Sequence, residues 1–377
     1  MRIVVLGGGR VGSAIVRDLT AEDDYSVLVV DLDPVRVEAM TEFGADGVVA
    51  DLSKLENVSK AVADADLVVG AVPGFMGYQT VERVLQEGCP IVDISFFPED
   101  AFGLEKLAED AGVCCLVDCG IAPGLSNLVL GRLEAYLDET TSFHCLIGGL
   151  PVERKWPWEY KAPCSPADII EVYVRPARMR RDGVEITMPA LSEVELVNFP
   201  GLGSLEAFNT NGLRSLLRTS STPNMVEKTM RYPGHAVRMR ILRDAGFFST
   251  QEIQAASGAV VPRDLTEALL FHAWRYEDGE PDLTVMRIVV EGTREGKSVR
   301  HTFNLLDYYN TDTETSSMAR TTGYTCTAMV NLIVKGLWTE RGLAPPEIVG
   351  RDKDCYDAVL KYLDDRNVQM FQRVVEL

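Results

Sequence analysis

The sequence predicts an α/β protein: a doubly wound parallel sheet with an α+β domain inserted into it. Two observations lead to this fold class. Over the first 122 residues, short apolar runs alternate with helix-compatible stretches, as they do where helices cover both faces of a parallel sheet. From about residue 125 to residue 315, strand-like runs cluster instead of alternating with helices, which is typical of α+β architecture.

The first apolar run, residues 2–6, leads directly into a glycine-rich turn. Gly7, Gly9 and Gly12 fit the pattern G-x-G-x-x-G, a helix-compatible stretch follows at 13–19, and a second apolar run ends at Asp31. This order is typical of a dinucleotide-binding Rossmann unit, in which the glycines bring the backbone to the pyrophosphate at a helix N-terminus. A glycine-rich turn in an ordinary α/β protein is the alternative, and the complete strand–turn–helix–strand context disfavours it.

The residues expected to hold a cofactor lie at the ends of predicted strands, because doubly wound sheets bind ligands there. They are Gly7, Gly9, Arg10, Val11 and Gly12 in the turn, Asp31 at the adenosine ribose, Asp51 and Leu52 beside the adenine, and Ala71, Val72 and Pro73 near the nicotinamide ribose. Asp31 should accept hydrogen bonds from the ribose diol, and its charge opposes a 2′-phosphate. No Arg or Lys follows it directly, so NAD is expected rather than NADP.

The remaining elements follow from the same patterns. Further strands of the parallel sheet are predicted at 47–51, 66–73, 90–94 and 113–118, with helices at 79–87 and 105–111. Beyond a turn at Pro123 and Gly124, a helix is predicted at 126–137 and strands at 142–147, 184–188 and 284–291. A helix at 317–336 and a final helix with a short strand within 357–377 complete the prediction.

The amino-acid composition and net charge of the chain disfavour several classes of binding partner. The chain has 37 Lys and Arg against 56 Asp and Glu, a net charge of −19, which repels nucleic acids and anionic membranes and mildly attracts cationic small molecules. No apolar run reaches the roughly 18 residues of a membrane span, and Met1 runs straight into a strand, so neither a membrane segment nor a signal peptide is expected. The eight cysteines form no metal-binding pattern. A cytoplasmic protein with reduced thiols and no metal is expected.

The first candidate for chemistry is Arg231, which precedes Tyr232 and a Pro-Gly turn that ends at His235. Such a turn can present the guanidinium fork over a cleft, where it would bind a carboxylate through two hydrogen bonds. A surface arginine beside an ordinary turn is the alternative. His235 is the histidine expected to act as an acid or base, whereas His144 is expected in the core because its neighbours are apolar.

Three further candidates remain open. Aromatic residues surround Glu159 and Lys161 in the sequence. They are expected to form either a wall shielded from water, in which the pKa of a lysine is shifted towards neutrality, or a cluster at the edge of the core with solvated charges. Residues 206–214 are expected to form a polar loop in which Asn211 and Arg214 hold a zwitterion. Asp93 and Asp118 end predicted strands, where each serves either as a general base or as the cap of a turn.

Taken together, these segments resemble the saccharopine dehydrogenase family, and within it the lysine 6-dehydrogenase branch. The residues that carry the resemblance lie in the stretches 4–9, 92–100, 117–127, 148–151, 160–161, 176–177, 206–208, 212–216, 231–235 and 318–324. The chain departs from the branch at Asn211, where an acid usually precedes Gly212, and at Ala162, Pro163 and Cys164. An amide cannot form an ion pair with a substrate ammonium.

The resemblance implies a Rossmann domain of residues 1–122 plus 316–377, a substrate domain of residues 123–315, and a homodimer. It also implies NAD-linked oxidation of an amine-bearing carbon, which for lysine gives the 6-semialdehyde and then a piperideine carboxylate. Arg231 would bind the substrate carboxylate, with Arg214, Asn211 and Tyr160 nearby. Lys161 or His235 would be the catalytic base, and Asp118 would orient that base. The alternatives are a saccharopine-type reductase acting on an amine–keto-acid imine, and a non-enzymatic nucleotide-sensing regulator.

Overall fold

The computed structural model describes residues 1–162, 166–256 and 258–377. They form two compact units, one of Met1–Tyr136 with Ala319–Gln369 and the other of Leu137–Met318 with Met370–Leu377. Pro163 and Cys164 of the altered motif, together with Ser165, lie outside the described residues. No helix in the described part of the chain is long and apolar enough to cross a membrane.

Residues 1–136 alternate strands and helices as expected. The strands are β1 (Arg2–Leu6), β2 (Ser26–Asp31), β3 (Asp46–Val49), β4 (Leu67–Gly70), β5 (Ile91–Asp93) and β6 (Cys114–Leu116). The helices are α1 (Arg10–Thr20), α2 (Pro34–Thr41), α3 (Leu55–Val62), α4 (Gly74–Gln86), α5 (Glu105–Ala111) and α6 (Leu125–Tyr136), with a single 3-10 turn at Ala101–Leu104. Every predicted strand of this region is present, which confirms the apolar-run pattern.

The middle of the chain is richer in strands. The strands are β7 (Glu139–Pro151), β8 (Ala177–Arg181), β9 (Val184–Met188), β10 (Glu195–Phe199), β11 (Gly203–Asn209), β12 (Asn224–Arg231), β13 (Ile253–Ala255), β14 (Gly258–Val260), β15 (Asp282–Arg294) and β16 (Lys297–Tyr308). The helices are α7 (Pro166–Val174), α8 (Leu216–Thr219), α9 (His235–Asp244) and α10 (Pro262–Trp274).

The C-terminal part contains α11 (Ser317–Val334), β17 (Gly342–Ala344), α12 (Pro346–Arg351), α13 (Lys353–Asp364) and β18 (Met370–Glu376). In the described residues, the sheet of the first unit has the strand order β17-β6-β5-β4-β1-β2-β3. All its pairings are parallel. The order reverses between β1 and β4, which is the switch point where doubly wound sheets bind nucleotides.

The second unit is built on a mixed sheet. Its described strands follow the order β10-β11-β12-β7-β15-β16-β18, with β8 paired to β12 and to β9. The β12–β7 pair is parallel and the β7–β15 and β15–β16 pairs are antiparallel. A parallel sheet in one unit and a mixed sheet with helices in the other confirm the predicted fold class.

The two units differ from the expected boundaries at two places. Helix α6 lies in the first unit because it packs closely on α12: a Cβ at Gly131 would lie 1.9 Å from the carbonyl oxygen of Glu347, and Asn127 Nδ2 donates to Glu347 Oε2 over 3.1 Å. Strand β18 lies in the second unit because it pairs with β16 along its length. Apolar periodicity alone cannot show which sheet a terminal strand joins.

Two local expectations were wrong. Residues 206–209 do not belong to a polar loop, since they lie in β11 and are buried. His144 is not a core residue: Phe143 and Cys145 are buried on either side of it, and its own side chain points to the exposed face of β7. Both errors come from judging a short segment by composition when strand alternation decides which side chains are buried.

Candidate functional site

The glycine-rich turn between β1 and α1 is shaped by close backbone contacts. Gly7 has φ 106°, and a Cβ there would lie 2.4 Å from the carbonyl oxygen of Ala71. A Cβ at Gly12 would lie 2.0 Å from the carbonyl oxygen of Gly7. A side chain at Gly7 would force the turn away from the end of β4, and one at Gly12 would force α1 away from the turn, so these two glycines are required by the fold itself.

Gly9 is different, because no described residue lies close enough to require a glycine there. A Cβ at Gly9 would meet no atom within 4 Å, and Gly9 is the N-cap of α1, with no acidic residue in the first turn of the helix. Exposed Arg10 and partly buried Val11 begin the helix. An open glycine at an uncapped helix N-terminus fits the pyrophosphate of a dinucleotide.

Asp31 ends β2 beside this turn. Its Oδ2 accepts a hydrogen bond of 2.6 Å from the Gly8 amide, and its Oδ1 accepts one of 2.9 Å from the Asp33 amide. Arg36 lies near by but pairs with Asp33 over 3.5 Å. The carboxylate is therefore fixed by backbone donors at the place where a ribose would lie.

The other residues expected around the cofactor also lie at strand ends. Asp51 follows β3, and hydrogen bonds from the hydroxyl and amide of Ser53 lower the pKa of its carboxyl. Leu52 next to it is buried. Ala71, Val72 and Pro73 follow β4, with Val72 buried and Pro73 exposed. All lie at the carboxyl edge of the parallel sheet, as the interpretation requires.

The two acids at later strand ends are both buried in the first unit. Asp93 Oδ1 accepts hydrogen bonds from the amide and the hydroxyl of Ser95, at 2.9 Å and 2.6 Å. Asp118 follows β6 with a left-handed backbone, φ 58°. For Asp93 the structure thus contains the turn-capping arrangement.

In the second unit, Arg231 ends β12 and is only 5% exposed. Its guanidinium lies 4.5 Å from the ring centroid of Tyr160. One terminal nitrogen donates to the Met230 carbonyl over 2.9 Å, and the other contacts Tyr160 Oη at 3.4 Å. The surface-arginine alternative does not hold, because Arg231 is a buried cation supported by an aromatic face.

His235, the first residue of α9, lies in the same aromatic cluster. Its Nε2 is 2.8 Å from Tyr173 Oη, and its ring centroid lies 4.9 Å from that of Tyr160 and 6.4 Å from that of Trp274. Burial, and then the charge of Arg231, hold the pKa of His235 well below its ordinary value. The imidazole is therefore neutral near pH 7.

A buried carboxylate fixes the backbone around His235. Glu206 on β11 accepts hydrogen bonds from the Gly234 amide at 2.8 Å and from the Ala236 amide at 2.5 Å. Gly234 has φ 94°, a conformation that favours glycine. Glu206 thus caps α9 from another element. Sequence patterns offer no signal for such a cap, since the two partners are 28 residues apart.

Lys161 has a different environment from Tyr160. Its Nζ donates to Glu280 Oε2 and to the Arg275 carbonyl, the latter over 2.9 Å. Burial alone would raise the pKa of the Glu280 carboxyl. The hydrogen bond and the charge of Lys161 act in the opposite direction, and the resulting pKa lies below its ordinary value. The structure places Lys161 in an ion pair, and Glu280 is a partner that the sequence did not reveal.

Asn211 and Arg214 lie on the loop after β11. Asn211 Oδ1 accepts a hydrogen bond of 3.2 Å from the Arg178 amide, and Arg214 is partly buried with φ 44°. Between them, a Cβ at Gly212 would lie 1.5 Å from Glu227 Oε1. A buried carboxylate on β12 therefore lies against the position next to Asn211. Among the described residues, no group of three or more His, Cys, Asp or Glu could hold a metal ion.

Family models match nearly the whole chain. The model described as the saccharopine dehydrogenase NADP binding domain matches residues 3–116, and the model described as the saccharopine dehydrogenase C-terminal domain matches residues 120–368. Similar proteins include a saccharopine dehydrogenase [NADP(+), L-glutamate-forming] of Saccharomyces cerevisiae, 20% identical over 97% of each chain. That of Schizosaccharomyces pombe is 22% identical over 91% of this chain and 93% of the relative.

Other relatives are matched over only part of their length. An alpha-aminoadipic semialdehyde synthase of Arabidopsis thaliana is 24% identical over 55% of this chain, and the match spans 21% of that protein. For a Pyricularia oryzae saccharopine dehydrogenase [NADP(+), L-glutamate-forming], the match spans 56% of the relative. The chain thus spans between about a fifth and just over half of these two relatives.

Among solved structures, the chain is similar to the apo histidine-tagged saccharopine dehydrogenase (L-Glu forming) from Saccharomyces cerevisiae. The TM-score is 0.80 at 19% identity, covering 99% of each chain, which shows a common fold. The second family model alone covers more than half of the residues. This chain therefore belongs to the saccharopine dehydrogenase family.

Proposed function

We propose that this chain is a nicotinamide-dependent oxidoreductase that oxidises a carbon–nitrogen bond of an amino acid. The proposed substrate is L-lysine, oxidised at C6 to the semialdehyde, which cyclises to a piperideine carboxylate. The observation that carries the proposal is the buried Arg231, a cation stacked on Tyr160, in a chain of this family that also contains a glycine turn of the dinucleotide-binding type. The net charge of −19 favours a cationic substrate such as lysine.

The turn residues Gly7, Gly9 and Gly12 and the carboxylate of Asp31 would hold the dinucleotide. The open space above Gly9 would take the pyrophosphate, and Asp31 would bind the ribose diol. When bound, the nicotinamide supplies the two-electron oxidant for the substrate carbon. The protein supplies binding, orientation and the proton acceptor.

Arg231 is the proposed partner of the substrate carboxylate. Its guanidinium is desolvated and stacked on Tyr160, so little side-chain entropy is lost on binding and the charge is poorly screened. This contact would fix the end of the substrate remote from C6.

His235 is the proposed proton acceptor, since the substrate ammonium must lose a proton before its nitrogen can assist oxidation of the neighbouring carbon. A neutral imidazole can accept that proton. Lys161 is the weaker of the two proposed bases, because an ammonium held in an ion pair with Glu280 has no lone pair. Asp118 remains the residue proposed to orient the base.

NAD is the proposed cofactor, although the curated relatives above are named for NADP(+). A 2′-phosphate would approach Asp31, whose carboxylate is fixed by the Gly8 and Asp33 amides. The first arginine after Asp31 in the sequence, Arg36, pairs with Asp33. Two negative charges at van der Waals distance oppose binding of NADP.

The test is the absorbance of reduced nicotinamide with purified protein, NAD or NADP, and a panel of amino acids and saccharopine at mildly alkaline pH. A rise with L-lysine and NAD, and none with saccharopine, is the expected result. If NAD binds by calorimetry but lysine gives no rise, the substrate is another amine and the lysine proposal is wrong.

A saccharopine-type reaction is the second candidate, because the two yeast relatives that match over nearly the whole chain carry that name. Saccharopine has more carboxylates than lysine and needs a further cation besides Arg231. Partly buried Arg214 is the candidate for that role. In this case saccharopine alone would give the absorbance rise, and Arg214→Ala would raise its KM.

A further inference from the structure

One asparagine of the chain is followed by a glycine. Asn211 precedes Gly212, and none of the other asparagines in the sequence has a glycine after it. In such a pair, the peptide nitrogen of the glycine can attack the side-chain carbonyl carbon of the asparagine and close a five-membered ring. A side chain on the second residue hinders this approach, and glycine has none. This pair is therefore the position in the sequence that is most open to loss of an asparagine amide.

The side chain of Asn211 is held at its oxygen and not at its nitrogen. Oδ1 accepts a hydrogen bond of 3.2 Å from the Arg178 amide, whereas Nδ2 has no hydrogen-bond partner among the described residues. A donor at Oδ1 polarises the carbonyl and stabilises the negative charge that develops on the oxygen during attack. Asn211 is also only partly buried, so water reaches it and its nitrogen can leave as ammonia.

A carboxylate lies against the backbone of the attacking residue. If Gly212 had a Cβ, that atom would be 1.5 Å from Glu227 Oε1 and 2.3 Å from Glu227 Oε2. Glu227 is 7% exposed on β12, so its carboxylate is shielded from bulk water. Within the described part of the chain, the Gly212 amide donates no hydrogen bond to a backbone or side-chain acceptor. The attacking nitrogen is thus available, with a base beside its residue.

We propose that Asn211 is a site of spontaneous deamidation in the folded protein, with Glu227 as the base. Glu227 accepts the amide proton of Gly212 as the Gly212 nitrogen bonds to Cγ of Asn211. The Cγ–Nδ2 bond then breaks, and Nδ2 leaves with that proton as ammonia. Water opens the resulting succinimide at one of its two carbonyls, which gives aspartate or isoaspartate at position 211. The reaction consumes water and needs no oxidant or reductant.

Asn209, two residues earlier, lacks this arrangement. It is fully buried in β11, and its Nδ2 donates to Ser192 Oγ over 3.0 Å and to Glu193 Oε2 over 2.9 Å. The amide of the next residue, Thr210, donates to the Glu227 carbonyl over 3.1 Å, and threonine is branched at Cβ. Both the leaving and the attacking nitrogen are held, so Asn209 is a matched control within the same chain.

The reaction changes the charge next to a buried carboxylate. Aspartate at position 211 adds a negative charge close to that of Glu227, and like charges at short distance repel each other. Isoaspartate instead adds an atom to the main chain directly before Gly212, where Glu227 leaves no space. The deamidated protein should therefore unfold at a lower temperature than the fresh protein.

Peptide mapping by mass spectrometry tests the proposal on the full chain. Folded protein is kept at mildly alkaline pH and sampled over time, and trypsin then releases residues 182–214 as one peptide that contains Asn198, Asn209 and Asn211. The expected result is a gain of one mass unit at Asn211 alone, in two products that separate by chromatography. An unchanged Asn211 in the folded protein, under conditions in which the urea-unfolded chain has reacted, would overturn the proposal.

Variants test the roles of the two side chains. Asn211→Gln keeps the amide but requires a larger ring, so both products should disappear, whereas Asn209→Gln should leave them unchanged. Glu227→Gln should slow the reaction of the folded protein about a hundredfold. In urea, Glu227→Gln and the wild type should react at the same rate, because the unfolded chain does not position the base.

Glu227→Asp is the second variant at this position, and it covers the case in which Glu227→Gln does not fold. It keeps the charge but withdraws the carboxylate by one methylene group, so the folded protein should also react more slowly than the wild type. Thermal unfolding of each variant checks the fold. A folded Glu227→Gln or Glu227→Asp protein that deamidates at the wild-type rate would show that Glu227 is not the base.

Discussion

The hydroxyl of Tyr173 lies 2.8 Å from Nε2 of His235, and both side chains are buried away from solvent. Burial keeps the imidazole neutral, so a single hydrogen lies between the two groups: the Tyr173 hydroxyl donates to Nε2 in one tautomer, and Nε2–H donates to the hydroxyl oxygen in the other. The contact holds the orientation of a histidine ring that is also packed against Tyr160.

The first prediction concerns acid stability. The pKa of His235 lies well below the value of 6.5 in an unfolded chain, so above pH 6.5 neither state is protonated and this group contributes nothing. As the pH falls below 6.5, the unfolded chain takes up a proton that the folded protein does not. The free energy of unfolding should then decrease by up to about 1.4 kcal/mol per pH unit.

Urea unfolding of His235→Gln measures this contribution. The variant should be less stable than the wild type at pH 7.5, because a hydrogen-bonded core residue is replaced. Its stability should nevertheless fall less steeply between pH 6.5 and pH 5. The control His272→Gln, at an exposed position, should keep the wild-type slope. Equal slopes for wild type and His235→Gln would contradict a neutral, buried imidazole.

The second prediction concerns Arg231. Arg231→Lys keeps the charge but removes the planar fork and its stacking on Tyr160, so KM for L-lysine should rise about tenfold or more. The related diamine that lacks the carboxylate is the internal control. Its kcat/KM should be low in the wild type and change little in the variant. An unchanged KM for lysine would remove Arg231 from the binding site.

The parallel-sheet unit could be predicted in detail because its sequence signals are local. Strand, glycine turn, helix and Asp31 follow one another within about 30 residues, and each signal concerns its immediate neighbours. The backbone conformation at Gly7 and the close contact at Gly12 then appear where the pattern places them. This is why the glycine turn and Asp31 could be placed in the fold from the sequence.

The second unit was less predictable because its key contacts are distant in sequence. Tyr160 and Arg231 are 71 residues apart, Tyr173 and His235 are 62 apart, and Lys161 and Glu280 are 119 apart. No periodicity connects such positions. Local residue patterns had identified Lys161, Arg231 and His235 as candidates, and the family resemblance added Tyr160, but only the structure separates the ion-paired lysine from the aromatic cluster.

The third prediction concerns cofactor choice. Asp31→Asn keeps the shape of the side chain and removes the charge that opposes a 2′-phosphate. NAD affinity should fall about tenfold, because one charged acceptor for the ribose diol is lost, and NADP affinity should stay level or rise. Isothermal calorimetry with both dinucleotides measures the ratio. Asp33→Asn is the control, and a ratio that shifts equally there would contradict a specific role of Asp31.

The fourth prediction concerns the attachment of the C-terminal helices to α1. Asp18 is 8% exposed and accepts hydrogen bonds from Thr327 at 2.5 Å, Tyr362 at 2.8 Å and Arg366 at 2.5 Å. Asp18→Asn removes the charge and leaves Arg366 facing a neutral amide. The expected loss is about 3 kcal/mol of unfolding free energy, measured by urea denaturation.

The exposed ion pair of Lys106 and Asp110 is the matched control for this effect. Both side chains are more than 60% exposed, at a distance of 2.9 Å. Asp110→Asn should cost less than about 0.5 kcal/mol, because solvent screens the pair. If the Asp18 and Asp110 variants lose similar stability, the buried network does not hold the C-terminal helices.

The last prediction separates the two kinds of glycine in the turn. A methyl group at Gly12 would lie 2.0 Å from the Gly7 carbonyl oxygen, whereas one at Gly9 would meet no protein atom within 4 Å. Gly12→Ala should therefore lower the thermal midpoint of the protein without dinucleotide, and Gly9→Ala should leave it nearly unchanged. Binding of NAD, measured by calorimetry, should fall at least tenfold in Gly9→Ala, because the methyl group takes the space of the pyrophosphate. A Gly9→Ala variant that binds NAD like the wild type would mean that the open space at the start of α1 is not the pyrophosphate site.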